Sequence, residues 1–174
     1  MQWVIIIGFV MIGVYLFLRW SAKPIHYRHL TSTDFQRFTE SLFSQGGDGA
    51  LLFIHHEGSD RFVQFAKYLA PKRMVHFGFP DAPWSRSYYP AVQSALSAAC
   101  FPCYESPTKD DYKTLRFVCI DDISSAQKAA EIALVAFTAM GLGAEATYTI
   151  HQEGLVNLKE WRRYEAARKQ GAHN

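Results

Sequence analysis

The chain has 174 residues, 49% of them hydrophobic and 20% charged, with a formal net charge of +2. That balance excludes a disordered chain and gives no general case for nucleic-acid binding. Three cysteines are an odd number, which suits a reducing compartment better than a disulfide framework.

The first segment, MQWVIIIGFVMIGVYLFLRW, carries no charge from Met1 to Leu18 and then meets Arg19. A helix needs about 20 apolar residues to cross a bilayer core of ~30 Å, so residues 1–20 read as a transmembrane anchor. Trp3, Tyr15 and Trp20 sit near its ends, where amphipathic rings favour the headgroup level. A cleaved signal peptide would need a basic start and a small-x-small cleavage site, and neither is present. Gly8 and Gly13 are too far apart for the GxxxG spacing of close helix pairs. Arg19, Lys23 and Arg28 follow the span and no basic residue precedes it, which places the C-terminal side in the cytoplasm.

Residues 21–30 read as a juxtamembrane linker, since Pro24 stops the anchor helix. A domain is expected over 31–152. Thr31-Ser32-Thr33 offers N-caps, and Phe35, Phe38, Leu42 and Phe43 form one helical face that ends at Gly46-Gly47. Ala50 to His56, Arg61 to Leu69 and Arg73 to Phe79 are β-rich runs separated by short polar turns, which predicts a three-stranded meander. Pro80 and Pro83 mark a loop, and Pro90 suits the first turn of a second helix that closes near Cys100. Thr114 to Ile120 is a strand, with a weaker one at Cys103 to Ser106 beside it. Ser124-x-x-Gln127 has the form of a capping box for a third helix to about Met140, with a stripe of Ala126, Ala130, Ala133, Leu134, Phe137 and Met140. Thr147 to Ile150 is expected as an added edge strand or an extended tail.

From 153 to 174 the chain reads as a basic amphipathic helix and tail. Between Leu155 and Asn174, Lys159, Arg162, Arg163, Arg168 and Lys169 face Glu160 and Glu165, while Leu155, Leu158, Trp161 and Tyr164 recur every three residues. Such a segment either lies on an anionic leaflet, with Trp161, Arg162, Arg163 and Lys169 as contacts, or docks on its own domain.

The fold class expected is therefore α+β: an antiparallel sheet of about five strands, with the order helix, three-strand meander, helix, two strands, helix, preceded by one transmembrane helix. Catalytic signals are sparse. Cys100 and Cys103 have CxxC spacing, but a redox pair usually opens a helix, where the thiol pKa falls, and this pair closes one. A structural zinc site needs four ligands, and no second CxxC exists. His55 and His56 are adjacent on a strand and point to opposite faces, so without a bulge they cannot both serve one site. Asp110-Asp111 and Asp121-Asp122 are explained as a loop charge and a helix cap, and no GxSxG, Walker A, GxGxxG or HExxH motif occurs.

With these elements in place, the chain resembles the type III secretion chaperone-like fold, including the sensory transduction regulator family of small bacterial domains. The resemblance rests on Gly49-Ala50-Leu51-Leu52-Phe53-Ile54, on Arg61-Phe62-Val63-Gln64-Phe65 and on the run from Phe117 to Gly141. It implies a non-enzymatic module that binds protein segments or pairs with itself, and it assigns no site residue. The expectation is a single-pass protein of a bacterial inner membrane with a cytoplasmic interaction domain, binding lipid through residues 3–20 and a protein partner or a second copy. The contact patch expected is Trp84, Arg86, Tyr88 and Tyr89, because Trp, Tyr and Arg are enriched at hot spots. No metal, cofactor or nucleic acid is called for. The alternative is an anchored thiol-redox or metal-dependent enzyme using Cys100 and Cys103.

Overall fold

The structure, a computed structural model, describes residues 25–69, 74–107 and 116–155. Seven strands form one antiparallel sheet: β1 (Ile25–Leu30), β2 (Gly46–His56), β3 (Phe62–Tyr68), β4 (Met74–Pro80), β5 (Tyr104–Pro107), β6 (Arg116–Ile120) and β7 (Tyr148–Leu155). Their order across the sheet is β1-β7-β2-β3-β4-β6-β5. Three helices complete the α+β domain: α1 (Phe35–Gln45), α2 (Tyr89–Ala98) and α3 (Ala126–Ala139).

Local chemistry explains most of these elements. A one-turn 3-10 helix over Ser32–Asp34 leads into α1, and the Asp34 carboxylate accepts the Thr31 N–H at 3.2 Å. The helix passes directly into β2 at Gly46, where a Cβ would lie 2.4 Å from the Leu42 carbonyl oxygen. The β2-β3-β4 meander has the expected order, and its register sets Leu52 opposite Phe65 and Phe65 opposite Phe77. Pro90 occupies the first turn of α2, and β5 pairs with β6.

All three helices share one core with one face of the sheet. Phe35, Phe38 and Leu42 of α1, Val92 and Leu96 of α2, and Ile132, Ala136 and Phe137 of α3 pack there with Leu52, Ile54, Val63, Phe65, Phe77, Phe79 and Ile150. Phe35, Phe137 and Tyr148 form a ring cluster with centroids 4.7 to 5.7 Å apart. Polar groups on this face are paired. Lys67, 2% exposed, donates from Nζ to the Phe43 carbonyl, and Gln152 Nε2 donates to the Phe38 carbonyl while its oxygen accepts from Ser41.

Several expectations are corrected. The sheet has seven strands and not five. Residues 25–30, read as linker, form strand β1, whose polar His26, Arg28 and His29 conceal an alternation that buries Tyr27 against Ile150 and Phe38. Thr147–Ile150 is no edge or tail: it begins β7, which lies between β1 and β2 and continues through residues 153–155, read as the start of the terminal helix. The α3 N-cap is Ser125, whose Oγ accepts the Lys128 N–H at 3.2 Å, one residue beyond the expected Ser124. The buried stripe turns with it to Ala129, Ile132, Ala133, Ala136 and Phe137, leaving Leu134 47% exposed. The expected anchor (1–20), Asp110-Asp111 and the remainder of the C-terminal helix lie outside the described residues, among which no helix is long and apolar enough to cross a membrane.

Candidate functional site

With all helices on one face, strand alternation directs Leu51, Phe53, His55, Phe62, Gln64, His76, Thr149, His151 and Glu153 to the other. No described helix covers that second face. These side chains are half-buried.

A continuous path of rings runs across it. His26 of β1 meets His151 of β7 edge-on, with centroids 4.3 Å apart. His151 lies 5.7 Å from Phe53, which lies 6.0 Å from His55 and 6.2 Å from Phe62. His55 contacts Phe62 at 5.1 Å, and Phe62 stacks on Trp84 at 4.7 Å. Strand register builds this path: His26, His151 and Phe53 are direct cross-strand partners, as are His55 and Phe62.

The imidazoles are held by their neighbours. His151 Nε2 lies 2.6 Å from Glu153 Oε1, where the ring donates because a carboxylate only accepts, and its Nδ1 lies 3.2 Å from His26 Nδ1. Burial, followed by the nearby His151 and His26, lowers the His55 pKa below its ordinary value. The middle of the face, at Phe53, His55 and Phe62, is aromatic. Such a surface suits protein contact, since aromatic side chains are enriched and charged ones depleted at interface centres.

The expected loop patch adjoins this face in part. Trp84 packs on Phe62 and, edge-on, on Phe79 at 5.7 Å. Tyr88 accepts a hydrogen bond from Arg61 NH2 at 2.6 Å, and the same guanidinium, 4.6 Å from the ring, caps α3 by donating to the Met140 carbonyl. Arg86 is exposed, with its Nε 3.5 Å from Asp81 Oδ1. Tyr89 differs from expectation: it is a core residue, 4% exposed, and burial beside Glu105 raises its hydroxyl pKa to about 12. Asp81 also holds Arg116 at 2.9 Å, which ties the loop to β6. The other expected contacts, Trp161, Arg162, Arg163 and Lys169, lie outside the described residues.

Cys100 is exposed in a left-handed turn (φ 61°) just past the C-terminus of α2. Cys103 Sγ lies 3.1 Å from Ser97 Oγ. Cys119 is buried, and that burial, with the Asp121 charge adding to it, raises its pKa to about 11. Among the described residues no group of three or more His, Cys, Asp or Glu side chains is arranged to hold a metal.

One network is not visible in the chain order. Asp121 accepts from Tyr104 at 2.6 Å and from His76 at 2.5 Å, linking β4, β5 and the end of β6. Burial alone would raise the Asp121 pKa, but these two bonds hold it below its ordinary value. Nothing in the spacing of residues 76, 104 and 121 reveals this; only the β4-β6-β5 order brings them together.

Comparisons with known protein families, with characterised proteins and with solved structures give no match. The surface is therefore read from its own chemistry.

Proposed function

We propose that this chain is a single-pass, membrane-anchored and non-enzymatic protein-interaction module of a bacterial inner membrane, with its α+β domain in the cytoplasm. Residues 3–20 supply the anchor, and Arg19, Lys23 and Arg28 set the sidedness. The single observation that carries the interaction reading is the sheet face crossed by His26, His151, Phe53, His55 and Phe62, which no described helix covers. Capture of a strand at the sheet edge is less suited to this domain. Edge β1 is interrupted between Tyr27 and Leu30, where His29 takes a left-handed turn, and edge β5 has only four residues. Protein binding or self-pairing is also what the likeness to type III secretion chaperone-like domains implies.

The test is purification of the intact chain from detergent-solubilised membranes, with mass spectrometry and size analysis, beside Phe53→Asp and Arg86→Ala. Wild type is expected to carry a stoichiometric protein companion or a second copy, and Phe53→Asp to lose it while staying folded, with a melting temperature only a few degrees lower. Retention of the same companion by Phe53→Asp refutes the assignment of this face. Arg86→Ala reports separately on the adjoining loop.

A further inference from the structure

Two imidazoles from distant parts of the chain converge on the face that no described helix covers. His26 on edge strand β1 and His151 on β7 are direct cross-strand partners, and their Nδ1 atoms are 3.2 Å apart. On the other side of its ring, His151 Nε2 donates to Glu153 Oε1 at 2.6 Å. A neutral imidazole with its proton on Nε2 carries its lone pair on Nδ1, so the bond to Glu153 leaves the ligating nitrogen of His151 facing His26. His26 is exposed, and its Nε2 can hold the ring proton in water, which frees its own Nδ1 in the same way.

The separation fits a shared ion. Two nitrogens 3.2 Å apart, each at the Zn–N length of about 2.0–2.1 Å, subtend roughly 100–106° at the metal, close to a tetrahedral angle. Aiming both lone pairs at one ion sets the ring centroids roughly 5 Å apart against the 4.3 Å observed, an adjustment open to the exposed His26 side chain on its edge strand. A carboxylate on the remote nitrogen of a ligating histidine fixes its tautomer and raises its basicity, which is the place Glu153 holds. Glu153 also brings negative charge to the pair, while Arg28, two residues along β1, is exposed, so water and salt screen it. The Phe53 ring stands between His151 and His55, at 5.7 and 6.0 Å, and among the described residues no third His, Cys, Asp or Glu completes a set of three.

We propose that His26 and His151 form a binding site for a divalent transition-metal ion of the Zn2+ and Cu2+ class, with Glu153 as the positioning carboxylate and the remaining coordination positions open to water. Imidazole nitrogens suit these ions, whereas Mg2+ and Ca2+ call for oxygen donors. Two protein ligands make the binding exchangeable and not structural, since a structural zinc site closes four positions. The ion would join β1 to β7, whose two histidines are 125 residues apart in the chain, and so fasten an edge strand that is held by β7 alone. The site needs neither the membrane anchor nor a protein companion.

The experiment is titration of the full-length, tag-free chain in detergent with Zn2+ by calorimetry and with Cu2+ by electron paramagnetic resonance, beside His26→Ala, Glu153→Ala, Glu153→Gln and His56→Ala. Wild type is expected to bind one ion per chain, to show imidazole nitrogen splitting in the Cu2+ spectrum, and to melt at a temperature that rises with Zn2+ concentration. His26→Ala removes an exposed ligand and should weaken binding by at least about tenfold. Glu153→Ala should weaken it by about tenfold, the low end for an outer-shell partner, with partial recovery in Glu153→Gln, which keeps an acceptor oxygen. His56→Ala, whose ring is held by Ser59, should leave binding unchanged. Absence of saturable binding of either ion overturns the proposal. Equal weakening in His26→Ala and His56→Ala overturns it too, because the ion would then be shared among scattered histidines. Full affinity in Glu153→Ala overturns the positioning role of that carboxylate.

Discussion

Phe65 and Phe53 sit one position out of register on paired strands, Phe65 opposite Leu52 and Phe53 opposite Gln64, and point to opposite faces of the same sheet. Phe65 is fully buried, with its ring 5.4 Å from Phe77, and truncation to alanine leaves a void beneath α1 to α3 that water does not fill. Loss of a buried Phe side chain costs about 3–5 kcal/mol, the transfer and cavity contributions combined. Phe53 is half-buried, with His55, Phe62 and His151 as ring neighbours on the face that no described helix covers, so water can take the place of its ring. About half of the ~1.5–3 kcal/mol available from burying such a side chain is then lost, or about 1 kcal/mol. In a chain of this length each kcal/mol moves the melting temperature by about 2–4 °C. Phe65→Ala should therefore lower it by roughly 6–20 °C and Phe53→Ala by only a few degrees, followed by circular dichroism of the detergent-solubilised chain. Equal losses would refute the division into a covered and an uncovered face, because they would require Phe53 to be enclosed as Phe65 is.

Three other outcomes are expected. Ser125→Ala should destabilise the domain by about 1 kcal/mol through loss of the bond to Lys128 N–H, while Ser124→Ala is near neutral; chemical denaturation of both variants distinguishes the cap. Glu57 accepts from the His29 N–H, the His29 ring and Thr149, bonds that lower its pKa from 4.5 to about 2. Its stabilising effect is present above pH 4.5 and is lost as pH falls toward 2, so Glu57→Gln should be less stable at pH 7 and show a flatter acid limb in a pH series of melts. Gly154 has φ +71°, and a Cβ there would lie 2.9 Å from Ala50 Cα; Gly154→Ala should cost at least about 1–2 kcal/mol for the left-handed backbone, with added strain between β7 and β2, measured as a fall in the denaturant midpoint.

The elements legible in the chain are those whose signal is local. Phe35, Phe38 and Leu42 mark α1, the turn Glu57-Gly58-Ser59-Asp60 marks the β2–β3 hairpin, and Pro90 marks α2. Strands β1 and β7 were misread because their polar residues have tertiary explanations. Gln152 is buried only because Phe38 and Ser41 satisfy its amide, and His151 and Glu153 are tolerated in an interior strand because they face the uncovered side. Lys67 reads as a surface residue until the carbonyl of Phe43 is seen to receive its ammonium. Of the candidate patch, Trp84 and Arg86 lie where the loop prolines place them, but the alternation that inserts Tyr89 into the core depends on α2 packing against β4 and β6. The His26–His151–Phe53 path was illegible for the same reason as β7: its members come from the two ends and the middle of the chain, and only the register joins them.

The position of β7 also dictates an order of assembly. β1 is the first strand to be synthesised and its sheet neighbour is the last, so it has no place to pair until the chain has been completed through Leu155. The β2-β3-β4 meander closes short loops and can form early, whereas β7 must enter between two strands already made, carrying the loop-closure cost of the longest separation in the domain. Until it does, β2 presents an unpaired edge beside the meander. A truncation before Tyr148 would thus leave that edge exposed and β1 without its sheet neighbour, and the last strand acts as the latch of the domain.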